Sequence, residues 1–334
     1  MSTVKSQQES GTCDLASLLN SIATELSVVD DRLKSELRHK DPFIDELAQR
    51  SFRLGGKRLR PALLLLSAQA VGSINDAHRV LAAVVEMIHT ATLVHDDVLD
   101  EAVIRRHEDT VNARWNNQTS VLLGDYLFTH AFYLASTLET TFGCRTIGQA
   151  TNLVCEGELL QTAASGNFDL SRSKYFRIIR AKTAALCACA CQLGAHYAQG
   201  SKGQVEGFES FGRHLGSAFQ IVDDLLDLEG HEQIVGKSLG TDLDHRKMTL
   251  PLIQLRDQLA PSECLELQEI FEGASPDRSA LLLDWLERSG ALQYTREVAE
   301  GHVQSAASQL TTLPDSQAKQ TLVGLTDFVI QRDC

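Results

Sequence analysis

Proline is scarce, with six residues in a chain of 334. No Pro-, Gly- or Ser-rich stretch separates well-formed segments, which argues against two domains joined by a linker. Base is also in deficit, since the formal net charge is −13. A chain of that sign lacks the dense basic face that duplex DNA or RNA requires, so nucleic acid is not an expected partner. No run approaches the ~18 apolar residues of a membrane span, and the opening "MSTVKSQQESGTC" has no apolar signal-peptide core. A cytoplasmic protein with no transmembrane segment is expected, with residues 1–12 a loose polar tail and 13–334 one domain. The eight cysteines are scattered rather than spaced as a disulfide framework. Cys187, Cys189 and Cys191 alternate, and alternate helical positions diverge by ~200°, so these thiols cannot converge on one metal. They read as small apolar fillers of a tightly packed helix.

What the chain does have is helical spacing of apolar residues almost everywhere, and no segment reads convincingly as a strand. Helices are expected over about 14–37 (capped by Asp14), 75–101, 118–139, 145–165, 171–198 and 203–229, with Gly72 ending an earlier one. Ser275-Pro276 marks a further helix start. Segments 62–70 and 80–94 are apolar nearly all round and belong at the centre. The fold class is all-α.

Against this apolar background, "LVHDDVLDEAVIRR" places Asp96, Asp97 and Asp100 at i, i+1 and i+4 on a helix end. "FQIVDDLLDLEG" repeats the spacing with Asp223, Asp224 and Asp227. Positions i and i+4 share a helical face, so each triplet is a short acidic ridge of mutually repelling charges. One such triplet is ordinarily a solvated helix end. Two, each closing an apolar helix and each followed by bases, point to a bound cation. Mg²⁺ suits them, because it takes one or two carboxylates and completes its shell with phosphates and water.

The cations gather beside the acid. Arg105 and Arg106 follow the first cluster, and Lys237 and Lys247 ("GKSLGTDLDHRKMTLP") follow the second. Lys182-Thr183 interrupts an apolar helix, and "GGKRLRP" carries Lys57, Arg58 and Arg60 at a helix head, a natural anion site. His89 lies two turns before Asp96, where a polyanion would make it a hydrogen-bond donor rather than a core histidine. Aspartates holding metal, metal holding a polyanion, and bases completing its neutralisation form one consistent site. The spacing of a nucleotide P-loop is absent.

In order, "GGKRLRP", "IHTATLVHDDVLD…RR", "LLGDYLF", "CEGELLQ", "KTA", "FQIVDDLLD" and "GKSLGTDL…KMTLP" resemble the trans-isoprenyl diphosphate synthases over nearly the whole chain. The resemblance is strongest to the long-chain all-trans members. It implies an isoprenoid synthase-type helical bundle around a deep central cavity, acting as a homodimer. It further implies that Asp96, Asp97, Asp100, Asp223, Asp224 and Asp227 hold three Mg²⁺ ions. Arg105, Lys182, Thr183, Gln220, Lys237 and Lys247 would contact the allylic diphosphate, and Lys57, Arg60, His89 and Arg106 isopentenyl diphosphate. Asp96, Asp97, Asp100, Lys182, Asp223 and Lys237 would form the catalytic core. Two departures stand out: the family's usual RRGxPT reads "RRHEDT" here, and its usual GK before "xTLP" is Arg246-Lys247.

One helical turn rises about 5.4 Å, close to one extended isoprene unit, so residues before Asp96 would line a growing tail. Thr92 and Ala91 are small, Ile88 and Met87 follow deeper, and no aromatic occurs from 81 to 95. A product beyond C15 is expected, in the C30–C45 class of quinone side chains, with geranylgeranyl diphosphate as the alternative. The oily product would be able to draw the enzyme to a membrane surface. A terpene cyclase or head-to-head synthase would not keep both intact aspartate clusters and a separate isopentenyl site. A non-catalytic subunit of a heteromeric synthase would ordinarily have lost acidic residues.

Overall fold

The helix that carries the first acid cluster is set at its start by an unusual reciprocal cap. Asn75 accepts from the His78 amide, and the His78 ring accepts from the Asn75 amide at 3.0 Å. The other ring nitrogen of His78 donates to the Gly194 carbonyl at 3.1 Å, fastening this end to a neighbouring helix. A computed structural model describes residues 15–53, 56–105, 108–229, 240–273 and 278–332. The tail 1–12, the Asp14 cap, Arg106, His107, Lys237 and Ser275-Pro276 lie outside the described residues.

In chain order the helices are α1 (Leu15–Leu18), α2 (Ala23–Glu36), α3 (Pro42–Arg53), α4 (Leu59–Val71) and α5 (Asp76–Leu99). After a small hairpin come α6 (Val111–Arg114), α7 (Asn117–Ser136), α8 (Phe142–Thr162), α9 (Arg172–Ile179), α10 (Ala185–Tyr197) and α11 (Lys202–Glu229). The remainder is α12 (Thr241–Asp244), α13 (Leu250–Arg256), α14 (Pro261–Glu272), α15 (Arg278–Ser289), α16 (Ala291–Gln309) and α17 (Gln317–Ile330). The fold is all-α, as the periodicity predicts.

The centre is where the all-round apolar segments place it. Ala62 to Leu66 in α4 and Leu81 to Val85 in α5 have no exposed surface. At such positions Leu→Ala costs about 2–5 kcal/mol. Helix α10 packs between α4 and α11, and α5 packs along α7. Cys187, Cys189 and Cys191 are buried filler in α10; burial pushes the Cys189 thiol up to about 12, keeping it protonated and inert. The 76–99 and 172–197 stretches are each long and apolar enough to cross a membrane, which qualifies the expectation of no such run. In this fold they are core helices, with 72% and 78% of their apolar windows buried.

Four local features depart from the sequence reading. The stretch expected as one helix over 14–37 is broken at Leu19–Ile22 by a 3₁₀ turn, and α3 is an additional helix. Ile104–Arg105 and Glu108–Asp109 pair as a two-residue antiparallel hairpin, a strand signal too short for periodicity to register. The helix over 171–198 contains a π turn at Arg180–Ala184.

Candidate active site

Helix α5 ends at the first cluster, with Asp96 and Asp97 in its last turn and Asp100 as the capping residue. Burial is the main reason that the Asp96 carboxyl is raised to about 6, with Lys182 opposing and Glu158 and Asp100 reinforcing the shift. Asp97 is 1% exposed and is also raised by burial, although Arg105 opposes that by donating to it at 2.7 Å. The hairpin holds Arg105 in place. Asn112 in α6 donates to the carbonyls of Asp97 and Ala102, and Arg50 in α3 donates to the Asp109 carbonyl at 2.6 Å.

The second cluster closes α11. Asp224 accepts from the Tyr175 hydroxyl at 2.5 Å and from the Gln220 amide at 2.9 Å, and burial drives its pKa well upward. Asp227 accepts from Thr241 at 2.8 Å and from the Asp242 amide at 3.0 Å. The guanidinium of Arg332 lies 3.7 Å from Asp223 and over the Phe219 ring.

Two lysines connect the clusters. Lys182 stands 3.8 Å from Asp96 and 2.6 Å from Glu158, while its neighbour Thr183 donates to Gln220, which in turn holds Asp224. Lys247 stands 3.8 Å from Asp100 and 3.6 Å from Asp242, whose amide caps Asp227. Burial works to lower the Lys247 ammonium, but Asp242, Asp100 and Glu158 together raise it, so it remains charged. The π turn displays Lys182 and Thr183, since one extra residue in the turn re-aims the side chains that follow. Gly157 of α8 permits this, because a Cβ there would collide with the Lys182 backbone.

Among the described residues no three acidic, His or Cys side chains form a ready-made metal cage. The carboxylates nevertheless suit Mg²⁺. They are hard oxygen donors with two or more raised pKa values, and an ion completed by phosphate oxygens would relieve that strain.

The remaining predicted residues fall in two groups. Lys57 is exposed, while Arg60 and His89 are half-buried, and the Arg60 Nε is buried with no hydrogen-bond partner among the described residues. Arg58, from the same "GGKRLRP" segment, is structural: it pairs with Glu86 at 2.7 Å and Asp30 at 2.9 Å. Ala91, Ile88 and Met87 are fully buried, and Thr92 is half-buried. The sequence reading missed Glu158, Tyr175, Asp242 and Arg332, whose partners lie on other helices. The "CEGELLQ" segment contained Glu158 but offered no reason to single it out. Arg246 adopts a left-handed conformation (φ 51°), costing about 1–2 kcal/mol where the family's usual glycine is unstrained.

Residues 41–284 match the family model described as polyprenyl synthetase. Octaprenyl diphosphate synthase of Escherichia coli is 35% identical over 312 residues, covering 93% of this chain and 97% of that protein. A decaprenyl diphosphate synthase structure from Rhodobacter capsulatus superposes with TM-score 0.90 at 35% identity, over 96% of this chain and 99% of that one. A Caulobacter crescentus polyprenyl synthase, crystallised with calcium and isoprenyl diphosphate, gives TM-score 0.91 at 32% identity over 97% and 99% of the two chains. The chain belongs to the polyprenyl synthetase family, the trans-isoprenyl diphosphate synthases. It has their all-α isoprenoid synthase fold and is an enzyme of prenyl transfer.

Proposed function

We propose that this chain condenses isopentenyl diphosphate with an allylic diphosphate and repeats the addition to make an all-trans polyprenyl diphosphate longer than C15. The product class is C30–C45, the length of quinone side chains. The observation that carries the reading is the pair of partly buried aspartate clusters, with Lys182 and Lys247 beside the first and linked to the second through Thr183, Gln220 and Asp242. Residues 13–334 act as one catalytic domain.

Asp96, Asp97 and Asp100 with Asp223, Asp224 and Asp227 hold three Mg²⁺, which when bound neutralise the allylic diphosphate and its leaving charge. Arg105, Lys182, Thr183, Gln220, Lys237 and Lys247 hold that diphosphate in a fixed field that favours C–O cleavage. Lys57, Arg60, His89 and Arg106 hold the isopentenyl diphosphate so that its double bond meets the allylic carbon. The buried Arg60 Nε supports an anion there. Proton loss then gives the extended chain. Apolar walls keep water from the cationic centre, and the small Ala91 and Thr92 leave room for the tail to pass toward Ile88 and Met87.

The chain acts as a homodimer. Val121, Leu122 and Tyr133 on α7 and Leu153 and Leu159 on α8 are large apolar residues left exposed, which a second copy would cover. Purified chain stripped of metal tests the core of the reading. Diphosphate release from the two substrates should appear only on adding Mg²⁺ and vanish in Asp96→Asn and Asp223→Asn. Undiminished release in chelator contradicts it.

A further inference from the structure

His95 immediately precedes the first metal-binding pair, yet its side chain points away from the acid and into α7. Its Nε2–H donates to the Val121 carbonyl at 3.1 Å and lies 3.6 Å from the Asp125 carboxylate. The ring is tilted against Phe128, with centroids 5.9 Å apart. A Cβ on Gly124 would collide with the imidazole, so α7 can receive the ring only because residue 124 is glycine.

The place of this anchor matters. Successive helical residues are ~100° apart, so fixing the azimuth of His95 fixes those of Asp96 and Asp97. The turn beyond it is also held by Arg105 and Asn112, which bond the Asp97 carboxylate and carbonyl, and His95 is its anchor to α7. This turn is the last of α5, its Asp96 and Asp97 carbonyls are closed by the Asp100 and Ala102 amides, and its three aspartates repel one another. Asp96 must face Lys182 at 3.8 Å while Asp97 faces Arg105 at 2.7 Å.

We propose that His95 is a positioning residue for the condensation reaction. Seated in the Gly124 notch and hydrogen-bonded to Val121, it sets the rotation of the α5 terminus that presents Asp96 and Asp97 to the metal–diphosphate. This rests on the proposed function, and it assigns His95 no contact with substrate.

The test compares His95→Phe, His95→Gln and Gly124→Ala with the parent protein. Phe keeps a ring and loses the donor, Gln keeps a donor, and Ala fills the notch. Groups that orient metal ligands are typically worth about 10–100-fold in metal affinity or activity. His95→Phe and Gly124→Ala should therefore lower kcat by about that factor and raise the Mg²⁺ concentration giving half-maximal rate. His95→Gln should recover part of the loss, and the KM for isopentenyl diphosphate should stay at its parental value in all three. Calorimetric titration with an unreactive thio-analogue of the allylic diphosphate in Mg²⁺ should show the same order of weakening, without turnover.

Parental kcat, Mg²⁺ dependence and analogue affinity in His95→Phe would overturn the proposal. So would losses that spread equally to the isopentenyl KM and track a lowered Tm, since that is general packing. If His95→Phe fails to fold, the same readouts on His95→Gln and Gly124→Ala decide. A parent protein without turnover would refute the proposed function itself, whereas an active parent with indifferent variants would refute only the role of His95.

Discussion

The ammonium of Lys247, carried just after α12, lies 3.8 Å from the carboxylate of Asp100, the last aspartate of the first cluster. Its other partner, Asp242, caps Asp227 of the second cluster, so this cation links the first acid ridge to the residue that caps the second. Lys247→Gln should remove that link and one contact to the allylic diphosphate. The expected loss in kcat/KM for the allylic substrate is about 10²–10³-fold, the scale for removing one preorganised charge stabiliser. Steady-state kinetics with each substrate varied in turn check this, and the isopentenyl KM should change little.

Asp96 should trade stability for activity. Its folded pKa is raised from the ordinary carboxylate value of 3.8 to about 6, chiefly by burial. The fold therefore binds this proton more tightly than the unfolded chain does. The associated stability is fully present below 3.8 and is lost as pH rises through about 6. Asp96→Asn in metal-free protein should gain about 1–3 kcal/mol at pH 8 and much less at pH 4, while abolishing turnover. Denaturant titrations of both proteins at the two pH values measure the difference.

A second pH effect comes from His214, on α11 ahead of the second aspartate cluster, and His302 on α16. His214 and His302 face each other with Nδ1 atoms 3.0 Å apart, and burial, then His214 and Arg180, lowers His302 to about 4. Here the unfolded chain takes the proton first, so stability is lost as pH falls from about 6.5 toward 4. After discounting for partial exposure, the loss should be about 1–2 kcal/mol, and His302→Gln should flatten it. Tm measured from pH 7 to pH 4.5 in both proteins provides the check.

Product length should respond to bulk at the α5 positions just before the first cluster. Ala91→Phe and Thr92→Phe should shorten the product, Thr92→Phe with less loss of stability because Thr92 is only half-buried. Overpacking at the fully buried Ala91 is expected to cost about 1–3 kcal/mol. Unchanged chain length in Ala91→Phe would show that Ala91 does not line the tail's path.

Much of this was legible in the sequence because it is periodic or local. The 3.6-residue pattern located α5, α7, α8 and α11 to within a few residues, and the i, i+1, i+4 aspartates stood out against apolar helix. The π turn at Arg180–Ala184 was not legible, since it depends on α8 reaching the Lys182 backbone at Gly157. Tyr175, Asp242 and Glu158 were equally hidden. Each is an ordinary surface-type residue until the fold sets it beside Asp224, Lys247 or Lys182. The hairpin at 104–109 pairs too few residues to leave a pattern.

The central claim is best tested by incubating purified chain with Mg²⁺, isopentenyl diphosphate and farnesyl diphosphate, then sizing the dephosphorylated products. The account predicts one discrete all-trans product class within C30–C45. A product stopping at C15 or C20 would contradict the chain-length assignment. No extension of farnesyl, geranylgeranyl or shorter primers would contradict the chain's acting as a synthase on its own.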